Sequence, residues 1–374
     1  MVKNIRPTQT IGIIGGGQLG RMMAISAKQM GFKIASLDPT PNSPLGQMAD
    51  IEIVAQYDDQ EAAKELLNQS DVVTFEFENI DVTVLELIES SGKLPQGSSI
   101  IKITQDRAFE KDAIAKSGVQ VAPYRVIENF EQLKEACSQL GFPVVVKTRT
   151  GGYDGKGQLT LKNTDDLVKA KNLVNEHLCI VEKFISFEKE ISVVVSRSIL
   201  GEVMTFPVSE NIHKDHILIQ SIVPARIPEQ IAENAEKLAK KIVESINVVG
   251  TLAVEMFLTS DGDIYINELA PRPHNSGHYT MDACMTSQFE QHIRAITGFK
   301  LASTKLLHPV IMMNVLGEHY EKVIEKVPQY EHAKLHLYGK KDVKTKRKMG
   351  HVNFLTNDIS HGLKEIAAMN IWRD

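Results

Sequence analysis

The sequence predicts a mixed α/β and α+β protein that begins with a doubly wound parallel sheet and ends in a small β-rich domain. Three observations predict this fold. Residues 9–100 alternate short apolar runs with amphipathic stretches, which is typical of parallel strands joined by helices. A glycine-rich loop at 147–157 and a strand–turn–strand pattern at 251–269 follow. With 374 residues, the chain is long enough for several domains with their own cores.

The individual elements are predicted from apolar periodicity and from turn residues. In the N-terminal part, strands are predicted at 10–14, 33–37, 51–54 and 72–77. The Pro-Gln-Gly-Ser sequence at 95–98 indicates a loop that ends this part. Farther along, helices are predicted at 105–117, 165–176, 228–246 and 280–297, and strands at 142–147, 158–161 and 179–184.

Composition excludes several classes of protein. The net charge of −5 gives no general attraction to nucleic acid or anionic lipid. The three cysteines are widely scattered without a CxxC pair, which favours buried thiols over disulfides or a zinc site. No apolar run approaches the ~20 residues that a membrane span needs. We therefore expect a cytoplasmic protein with no nucleic-acid partner and no membrane partner.

The first motif is a G-x-G-x-x-G sequence made by Gly15, Gly17 and Gly20, directly after a predicted strand and before a predicted helix. Asp38 ends the next strand, near the position of a ribose-binding acid, so an NAD or FAD enzyme is one interpretation. The broader alternative is that the glycines allow a tight turn and the helix offers free N–H groups to any anion. Both interpretations predict a phosphate site at this loop.

The second motif is the glycine-rich segment 147–157, which we call the flap. It lies between two predicted strands and is not a P-loop, because Lys156 is followed by Gly157 instead of Ser or Thr. Backbone amides and lysines that converge on one anion suit the β- and γ-phosphates of a nucleotide. Such a loop can also close as a lid. A purely structural turn is the alternative, although two residues would be enough for it.

The third motif is the hairpin at 251–269, in which Asp261-Gly262 favours a two-residue type I′ turn. Counting outward from that turn places Glu255 opposite Glu268. Because two like charges facing each other at ~5 Å are destabilising, we predict that the pair holds Mg²⁺, which takes one or two carboxylates plus substrate phosphates. A solvated pair at a sheet edge is the alternative, and the register could slip by one residue.

Two polar segments follow the hairpin. Arg272, His274 and Asn275 suit a small planar anion, since arginine binds carboxylate-like groups through two N–H groups. The alternative is a proline-stiffened surface loop, and a zinc site with His278 is disfavoured because the prolines prevent the required helix. The basic stretch 340–348 suits a phosphate monoester, although such runs are most often solvated faces.

In their order, these blocks resemble the ATP-grasp enzymes, and among them the N5-carboxyaminoimidazole ribonucleotide synthetases. The matching blocks are GGGQLGRM at 15–22, FEFEN at 75–79, GGYDGKGQ at 151–158, NELAPRPHNSGH at 267–278, YGK at 338–340 and RKMGH at 347–351. The resemblance implies an ATP-grasp fold. It implies a pre-ATP-grasp domain at 1–103, a small lobe with the flap at 104–187, a metal-binding lobe at 188–300 and a β-rich domain at 301–374.

The resemblance also implies an activity. ATP would phosphorylate bicarbonate to carboxyphosphate, which would carboxylate the exocyclic amine of 5-aminoimidazole ribonucleotide in purine biosynthesis. The expected cofactors are ATP and Mg²⁺, with Mn²⁺ as a substitute, and the expected assembly is a homodimer. Three alternatives stay open: a formate-dependent glycinamide ribonucleotide transformylase, an NAD-dependent oxidoreductase, and a nucleotide sensor without catalysis.

Matched residue by residue, the resemblance implies a complete site. The implied metal ligands are Glu255 and Glu268. The implied catalytic residues are Asp154, Arg272, His274 and Lys340, with Asp154 as a candidate acceptor of the amine proton. The implied nucleotide contacts are Arg107, Lys147, Gly152, Tyr153, Asp154, Gly155, Lys156, Gly157, Gln158, Glu182, Lys183, Phe184, Ile185, Glu190, His213, Asn267 and Glu268. The implied substrate contacts are Gly17, Gln18, Leu19, Glu76, Tyr153, Asp154, Arg272, His274, Asn275, Lys340, Arg347 and Lys348.

Two departures from the family pattern concern the loops. Lys156 stands in the flap where the family often has arginine, and Thr345-Lys346 stands where it often has Pro-Gly.

Overall fold

The computed structural model describes residues 4–152 and 157–372. Four flap residues with predicted roles, Tyr153, Asp154, Gly155 and Lys156, lie outside the described residues. Within the described residues, no helix is long and apolar enough to cross a membrane.

The N-terminal part is a four-stranded parallel sheet with the strand order β3-β2-β1-β4. Its strands are β1 (Thr10–Ile14), β2 (Lys33–Leu37), β3 (Ile51–Ile53) and β4 (Val72–Phe75). Its helices are α1 (Gln18–Gln29), α2 (Gln60–Gln69) and α3 (Val82–Ser90). Helices α2 and α3 begin where the carboxylates of Asp59 and Asp81 accept N–H groups of the first turn. The predicted parallel sheet is confirmed, and β4 ends two residues earlier than predicted, just before Glu76.

The next part is a smaller antiparallel sheet with the order β5-β8-β6-β7. Helices α4 (Ser99–Gln105) and α5 (Arg107–Lys116) lead into it. Its strands are β5 (Tyr124–Ile127), β6 (Val144–Thr148), β7 (Gln158–Leu161) and β8 (Cys179–Lys183), and its helices are α6 (Phe130–Leu140) and α7 (Lys171–Glu176). Lys147 pairs with Gln158 across β6 and β7, so the flap joins two antiparallel strands as predicted.

The largest sheet has nine strands in the order β14-β13-β9-β11-β12-β15-β17-β16, and β10 pairs with β9. The strands are β9 (Lys189–Arg197), β10 (Val203–Thr205), β11 (Ser209–Lys214), β12 (Ile217–Val223), β13 (Gly250–Leu258), β14 (Ile264–Ala270), β15 (Val310–Leu316), β16 (Ala333–Leu337) and β17 (Lys348–Leu355). The C-terminal strands β15 to β17 join this sheet where β12 pairs with β15. The basic stretch is the loop between β16 and β17, so it joins two strands of the sheet that contains the acidic hairpin.

Five helices pack against strands of this large sheet. They are α8 (Glu229–Ser245), α9 (Thr280–Ala283), α10 (Gln288–Thr297), α11 (Tyr320–Lys326) and α12 (Ile359–Ala368). One continuous hydrophobic core contains Ile14 and Phe75 of the parallel sheet together with Val193 and Leu252 of the large sheet. Because this core is shared, the glycine motif is held at a fixed position relative to the acidic hairpin.

Candidate active site

The acidic hairpin places its two glutamates as predicted. Glu255 on β13 pairs directly with Glu268 on β14. The predicted two-residue turn is wrong, however, because residues 260–262 form a three-residue turn. In that turn the N–H of Thr259 donates to the carbonyl of Asp263 at 3.0 Å. Gly262 takes the left-handed conformation that such a turn requires, with φ of 88°.

A bulge restores the pairing that the longer turn would have shifted. Met256 pairs with Ile266, whereas Glu255 pairs with Glu268, so Asn267 is an extra residue in β14. The bulge is held from outside the sheet, because the ammonium of Lys111 donates to the carbonyl of Asn267 at 2.9 Å. Lys111 is 1% exposed and was not predicted to take part in the site.

Two lysines share one buried carboxylate beneath the flap. Lys111 Nζ lies 3.2 Å from Glu182 Oε2, and Lys147 Nζ lies 3.1 Å from Glu182 Oε1. Burial opposes ionisation of Glu182, but the two ammonium groups outweigh it and lower the pKa of Glu182 to about 2. Burial also lowers the pKa of Lys147. The side chain of Glu182 therefore orients the two lysines. The predicted contact of residues 182–185 with adenine would be made by their backbone instead.

The paired glutamates are electrostatically unequal. His274 Nε2 lies 3.1 Å from Glu255 Oε1. Burial opposes ionisation of Glu255, but the hydrogen bond and charge of His274 lower its pKa. Part of the Glu268 side chain is exposed to solvent, but its carboxylate is surrounded by protein atoms. This local burial and the charge of Glu255 both raise the pKa of Glu268. One charged carboxylate beside one that resists ionisation is an arrangement that a cation would stabilise.

The residues fit a Mg²⁺ ion that takes further ligands from phosphates. In residues 4–152 and 157–372, no group of three or more His, Cys, Asp or Glu side chains could hold a metal by itself. Mg²⁺ commonly binds through one or two carboxylates plus substrate phosphates and water. The oxygen ligands of Glu255 and Glu268 match that preference.

The loop after β14 (residues 271–278), which we call the anion loop, carries an unsatisfied side-chain amide directly after His274, the residue that contacts Glu255. Asn275 is 8% exposed, and neither its Nδ2 nor its Oδ1 has a hydrogen-bond partner among the described residues. His274 is bound through Nδ1 to Ser276 Oγ at 2.9 Å, and Arg272 forms an ion pair with Glu78 at 2.8 Å. A buried amide with no partner is costly. The loop therefore suits a small ligand that both donates and accepts hydrogen bonds.

Three backbone amides of the glycine motif are bound to carboxylates of the chain itself. Gly16 N–H donates to Asp38 Oδ2 at 2.6 Å, Gly20 N–H donates to Glu76 Oε2 at 2.7 Å, and Gly17 N–H donates to the other Glu76 oxygen. A Cβ added to Gly17 would lie 2.5 Å from Glu76 Oε1, so glycine is needed for the carboxylate to approach. These three amides are therefore bound to the chain's own carboxylates, and a phosphate site at the rest of this loop and the start of α1 stays a prediction.

The predicted substrate residues around this motif lie close together. Gln18 and Leu19 form the first turn of α1, next to Gly17. Burial raises the pKa of Glu76 despite its two amide partners. The side-chain amide of Gln47 donates to the carbonyl of Gly339 at 3.0 Å, which connects the first sheet to the basic stretch.

The basic stretch brings its three predicted residues, Lys340, Arg347 and Lys348, close together. Lys340 Nζ donates to the carbonyl of Lys348 at 2.7 Å. Burial, together with the charges of Arg347 and Lys348, lowers the pKa of Lys340 to about 8, whereas Glu76 opposes the shift. Arg347 Nη1 donates to the carbonyl of Asp342 at 2.9 Å, so its guanidinium supports the loop.

The departure at Lys346 has a clear backbone consequence. Lys346 adopts φ of 62°, a conformation that favours glycine. Its ammonium lies 3.0 Å from Asp215 Oδ2.

On the nucleotide side, Glu190 of β9 forms an ion pair with His213 of β11. Burial lowers the pKa of His213, but the hydrogen bond and charge of Glu190 outweigh burial and raise it. Phe187 stacks on Phe257 with ring centroids 4.6 Å apart, and Phe257 pairs with Glu190 across the sheet. The sequence analysis did not identify these two rings, although both flank predicted nucleotide residues. Phe187 is 37% exposed, which leaves part of its ring free to contact a base.

The remaining predicted nucleotide residues lie around the base of the flap. Arg107 Nη1 donates to the carbonyls of Thr148 at 3.1 Å and Gly151 at 2.8 Å. Its Nη2 lies 3.4 Å from the carbonyl of Gly152, and Thr148 N–H donates to Gly157 O at 2.9 Å. Lys183 is the last residue of β8, and Phe184 and Ile185 follow it. The Lys183 ammonium donates to the carbonyl of Gly141 at 2.9 Å, and Phe184 is 38% exposed.

Comparisons with known proteins assign these parts to known domains. Residues 8–105 match the ribonucleotide synthetase preATP-grasp domain, residues 112–289 match the ATP-grasp domain, and residues 310–365 match the phosphoribosylaminoimidazole carboxylase C-terminal domain. The N5-carboxyaminoimidazole ribonucleotide synthase of Bacillus subtilis (strain 168) is 51% identical over 368 residues, which cover 98% of this chain and 96% of that protein.

Solved structures agree along the whole chain. An ADP complex of an N5-carboxyaminoimidazole ribonucleotide synthetase is 57% identical, with a TM-score of 0.97, and the match covers 100% of this chain and 99% of that one. The Aspergillus clavatus N5-carboxyaminoimidazole synthase, in complex with ADP and 5-aminoimidazole ribonucleotide, is 30% identical with a TM-score of 0.91 and 97% coverage of both chains. The chain therefore belongs to the N5-carboxyaminoimidazole ribonucleotide synthase family of ATP-grasp enzymes.

Proposed function

We propose that this enzyme uses ATP and bicarbonate to carboxylate the exocyclic amine of 5-aminoimidazole ribonucleotide. The products are N5-carboxyaminoimidazole ribonucleotide, ADP and phosphate, as part of purine biosynthesis. The observation that carries the proposal is the pairing of Glu255 with Glu268, together with the unpartnered amide of Asn275 in the loop whose His274 contacts Glu255. This arrangement suits a metal–nucleotide site that adjoins a site for a small anion. The relatives bind ADP and, in the A. clavatus complex, 5-aminoimidazole ribonucleotide.

In this proposal the nucleotide lies between the flap and the acidic hairpin. Glu255 and Glu268 would hold Mg²⁺, or Mn²⁺ in its place, and the ion would neutralise charge on the phosphates. Lys147, fixed by Glu182, faces the phosphates, while Glu190 and His213 bind the ribose end. The exposed faces of Phe184 and Phe187 provide apolar contact for the base.

Bicarbonate is a poor electrophile, so it must be activated before an amine can attack its carbon. Transfer of the γ-phosphoryl group from ATP gives carboxyphosphate, in which phosphate is the leaving group. Arg272 and Asn275 bind the anion, and His274, held against Glu255, orients it toward the nucleotide. Phosphoryl transfer depends mainly on positioning and charge neutralisation, which these fixed side chains supply. Carboxyphosphate hydrolyses readily, so closure of the flap over the site protects it from water.

The ribonucleotide lies on the other side of the anion loop. Gly17, Gln18, Leu19 and Glu76 contact its imidazole and ribose, and the cluster of Lys340, Arg347 and Lys348 binds its phosphate. The roles of Tyr153 and Asp154, including Asp154 as acceptor of the amine proton, stay predictions. The homodimer and the cytoplasmic location also stay predictions.

Phosphate release from Mg-ATP tests the proposal. Turnover is expected only when bicarbonate and 5-aminoimidazole ribonucleotide are both present, and the carboxylated product should incorporate labelled bicarbonate. Formate with glycinamide ribonucleotide serves as the parallel substrate pair. Turnover that does not rise with 5-aminoimidazole ribonucleotide, or that rises with formate instead, would contradict the proposal.

A further inference from the structure

Gln288, the first residue of α10, binds both backbone groups of His274, and its Nε2 also lies 3.2 Å from Nδ1 of the buried His278. Its side chain is 0% exposed. Its Oε1 accepts the N–H of His274 at 2.8 Å, and its Nε2 donates to the carbonyl of His274 at 2.7 Å. A single carboxamide thus satisfies both backbone groups of one loop residue, much as a neighbouring strand would.

This double contact fixes the imidazole as well as the backbone. The ring of His274 is bound through Nδ1 to Ser276 Oγ at 2.9 Å and through Nε2 to Glu255 Oε1 at 3.1 Å. Ser276 Oγ in turn accepts a hydrogen bond from Ser192 Oγ of β9 at 2.7 Å. With both backbone groups and both ring nitrogens engaged, His274 is restricted to one orientation, and Asn275 follows directly in the chain.

The loop is shaped to receive this carboxamide. A Cβ added to Gly277 would lie 2.5 Å from Gln288 Oε1, so only glycine leaves the required space. Thr280 Oγ1 accepts the backbone N–H of Gln288 at 2.9 Å and donates to the carbonyl of Gly277 at 2.6 Å. The loop therefore wraps around the start of α10 through several independent contacts.

We propose that Gln288 is the positioning residue of the bicarbonate step. Its carboxamide holds His274 against Glu255 and thereby places the amide of Asn275 on the small anion. The assignment rests on the proposed function, because it concerns the same loop. It predicts that loss of the carboxamide impairs the use of bicarbonate more than the use of ATP.

The same helix offers a matched control. Gln291 is also 0% exposed and makes the same double contact, but with Ala302. Its Nε2 donates to the carbonyl of Ala302 at 2.8 Å, and its Oε1 accepts the N–H of Ala302 at 2.9 Å. Gln291→Met therefore removes the same two hydrogen bonds from the same helix without touching the anion loop.

The experiment compares Gln288→Met with Gln291→Met in the full-length enzyme. For Gln288→Met, kcat/KM for bicarbonate is expected to fall about 10- to 100-fold, because a small misplacement of a positioning group has effects of that size. Its KM for ATP is expected to change less than about twofold, because the lost contacts position the bicarbonate loop and not the nucleotide. Gln291→Met should lower the melting temperature similarly and leave both parameters near wild type. Equal losses of bicarbonate efficiency in the two variants would overturn the proposal.

A second variant keeps the test decisive if Gln288→Met does not fold. In Gln288→Glu, a charged carboxylate accepts from the N–H of His274 but repels its carbonyl, whereas a protonated carboxyl group can both donate and accept. Bicarbonate efficiency relative to wild type is therefore expected to rise as pH falls. A ratio that is constant with pH would contradict the positioning role. If the wild-type enzyme needs no bicarbonate, the proposed function itself fails, which distinguishes the two ideas.

Discussion

Replacing Lys111 by methionine is expected to destabilise the protein by about 3 kcal/mol, because it breaks two buried contacts at once. Lys111 Nζ lies 3.2 Å from Glu182 Oε2 and donates to the carbonyl of Asn267 at 2.9 Å. Methionine fills a similar volume, so the loss comes from the missing ammonium and not from a cavity.

The magnitude has two parts. Lys111 and Lys147 together lower the pKa of Glu182 from its ordinary 4.5 to about 2, which corresponds to about 3 kcal/mol at neutral pH. Because the folded pKa is depressed, this stabilisation is fully present above the ordinary pKa and is lost as pH falls through about 2. If the two lysines share it equally, Lys111 accounts for about 1–2 kcal/mol. The carbonyl of Asn267, left partly buried without this donor, adds about 1–2 kcal/mol.

Urea denaturation of the full-length protein at pH 7 measures this loss as a change in the free energy of unfolding. Lys116→Met is the matched control, since Lys116 lies on the same helix. It forms an i,i+4 pair with Asp112 at 2.6 Å while its side chain is 74% exposed. The control is expected to keep a free energy of unfolding close to that of the wild type, because an exposed ion pair contributes little. A loss below about 1 kcal/mol for Lys111→Met, or equal losses in the two variants, would refute the reasoning.

Three further predictions concern the site itself. Glu268→Gln is expected to abolish phosphate release while the circular dichroism spectrum stays unchanged, because Glu255 alone cannot hold the ion; normal turnover would contradict the metal assignment. Since the pKa of Lys340 is about 8, its charge is lost as pH rises through that value, so kcat/KM for 5-aminoimidazole ribonucleotide should fall above it. Lys340→Arg should move this fall to higher pH, and an unchanged profile would exclude Lys340 as its cause. Lys346→Gly relieves a positive φ and should raise the free energy of unfolding by about 1 kcal/mol in urea denaturation; a decrease would show that the ion pair with Asp215 matters more.

The parallel sheet could be predicted because each strand is a short apolar run with turn residues at its ends. Helix α6 was missed although its signals are local. Asn129 accepts the N–H of Gln132 at its start, and apolar residues such as Leu133 and Cys137 recur at helical spacing. Helix α6 can therefore be predicted from its own residues, without information from distant parts of the chain.

The pairing of Glu255 with Glu268 was predicted through two errors that cancel. An Asp-Gly sequence suits both a two-residue turn and the end of a three-residue turn, since both need glycine at positive φ. The choice of the longer turn would shift the partner of Glu255 by one residue, and the bulge at Asn267 shifts it back. The bulge depends on Lys111, which lies 156 residues away in sequence. The sequence of the hairpin itself holds no information about such a partner.

Gln288 could not be recognised from sequence for a related reason. A buried glutamine gives no signal of its own, and its role depends on a loop 14 residues earlier in the chain. Lys111 did leave a local signal, because it lies four residues after Arg107 and thus on the same face of α5.

The glycine motif shows how one side chain decides what a loop can bind. Gly15, Gly17 and Gly20 follow a strand and precede a helix, which is the arrangement of a dinucleotide site. Glu76, which lies 56 residues beyond Gly20, supplies the anion from within the chain. The glycine loop therefore holds the carboxylate of Glu76 in a fixed orientation, where a dinucleotide site would bind a pyrophosphate. The positive charges of Arg272 and Lys340 both act on that carboxylate, the first from the anion loop and the second from the basic stretch. Glu76 is thus the group at which the three loops of the proposed ribonucleotide site meet, and a phosphate at the glycines would compete with it directly.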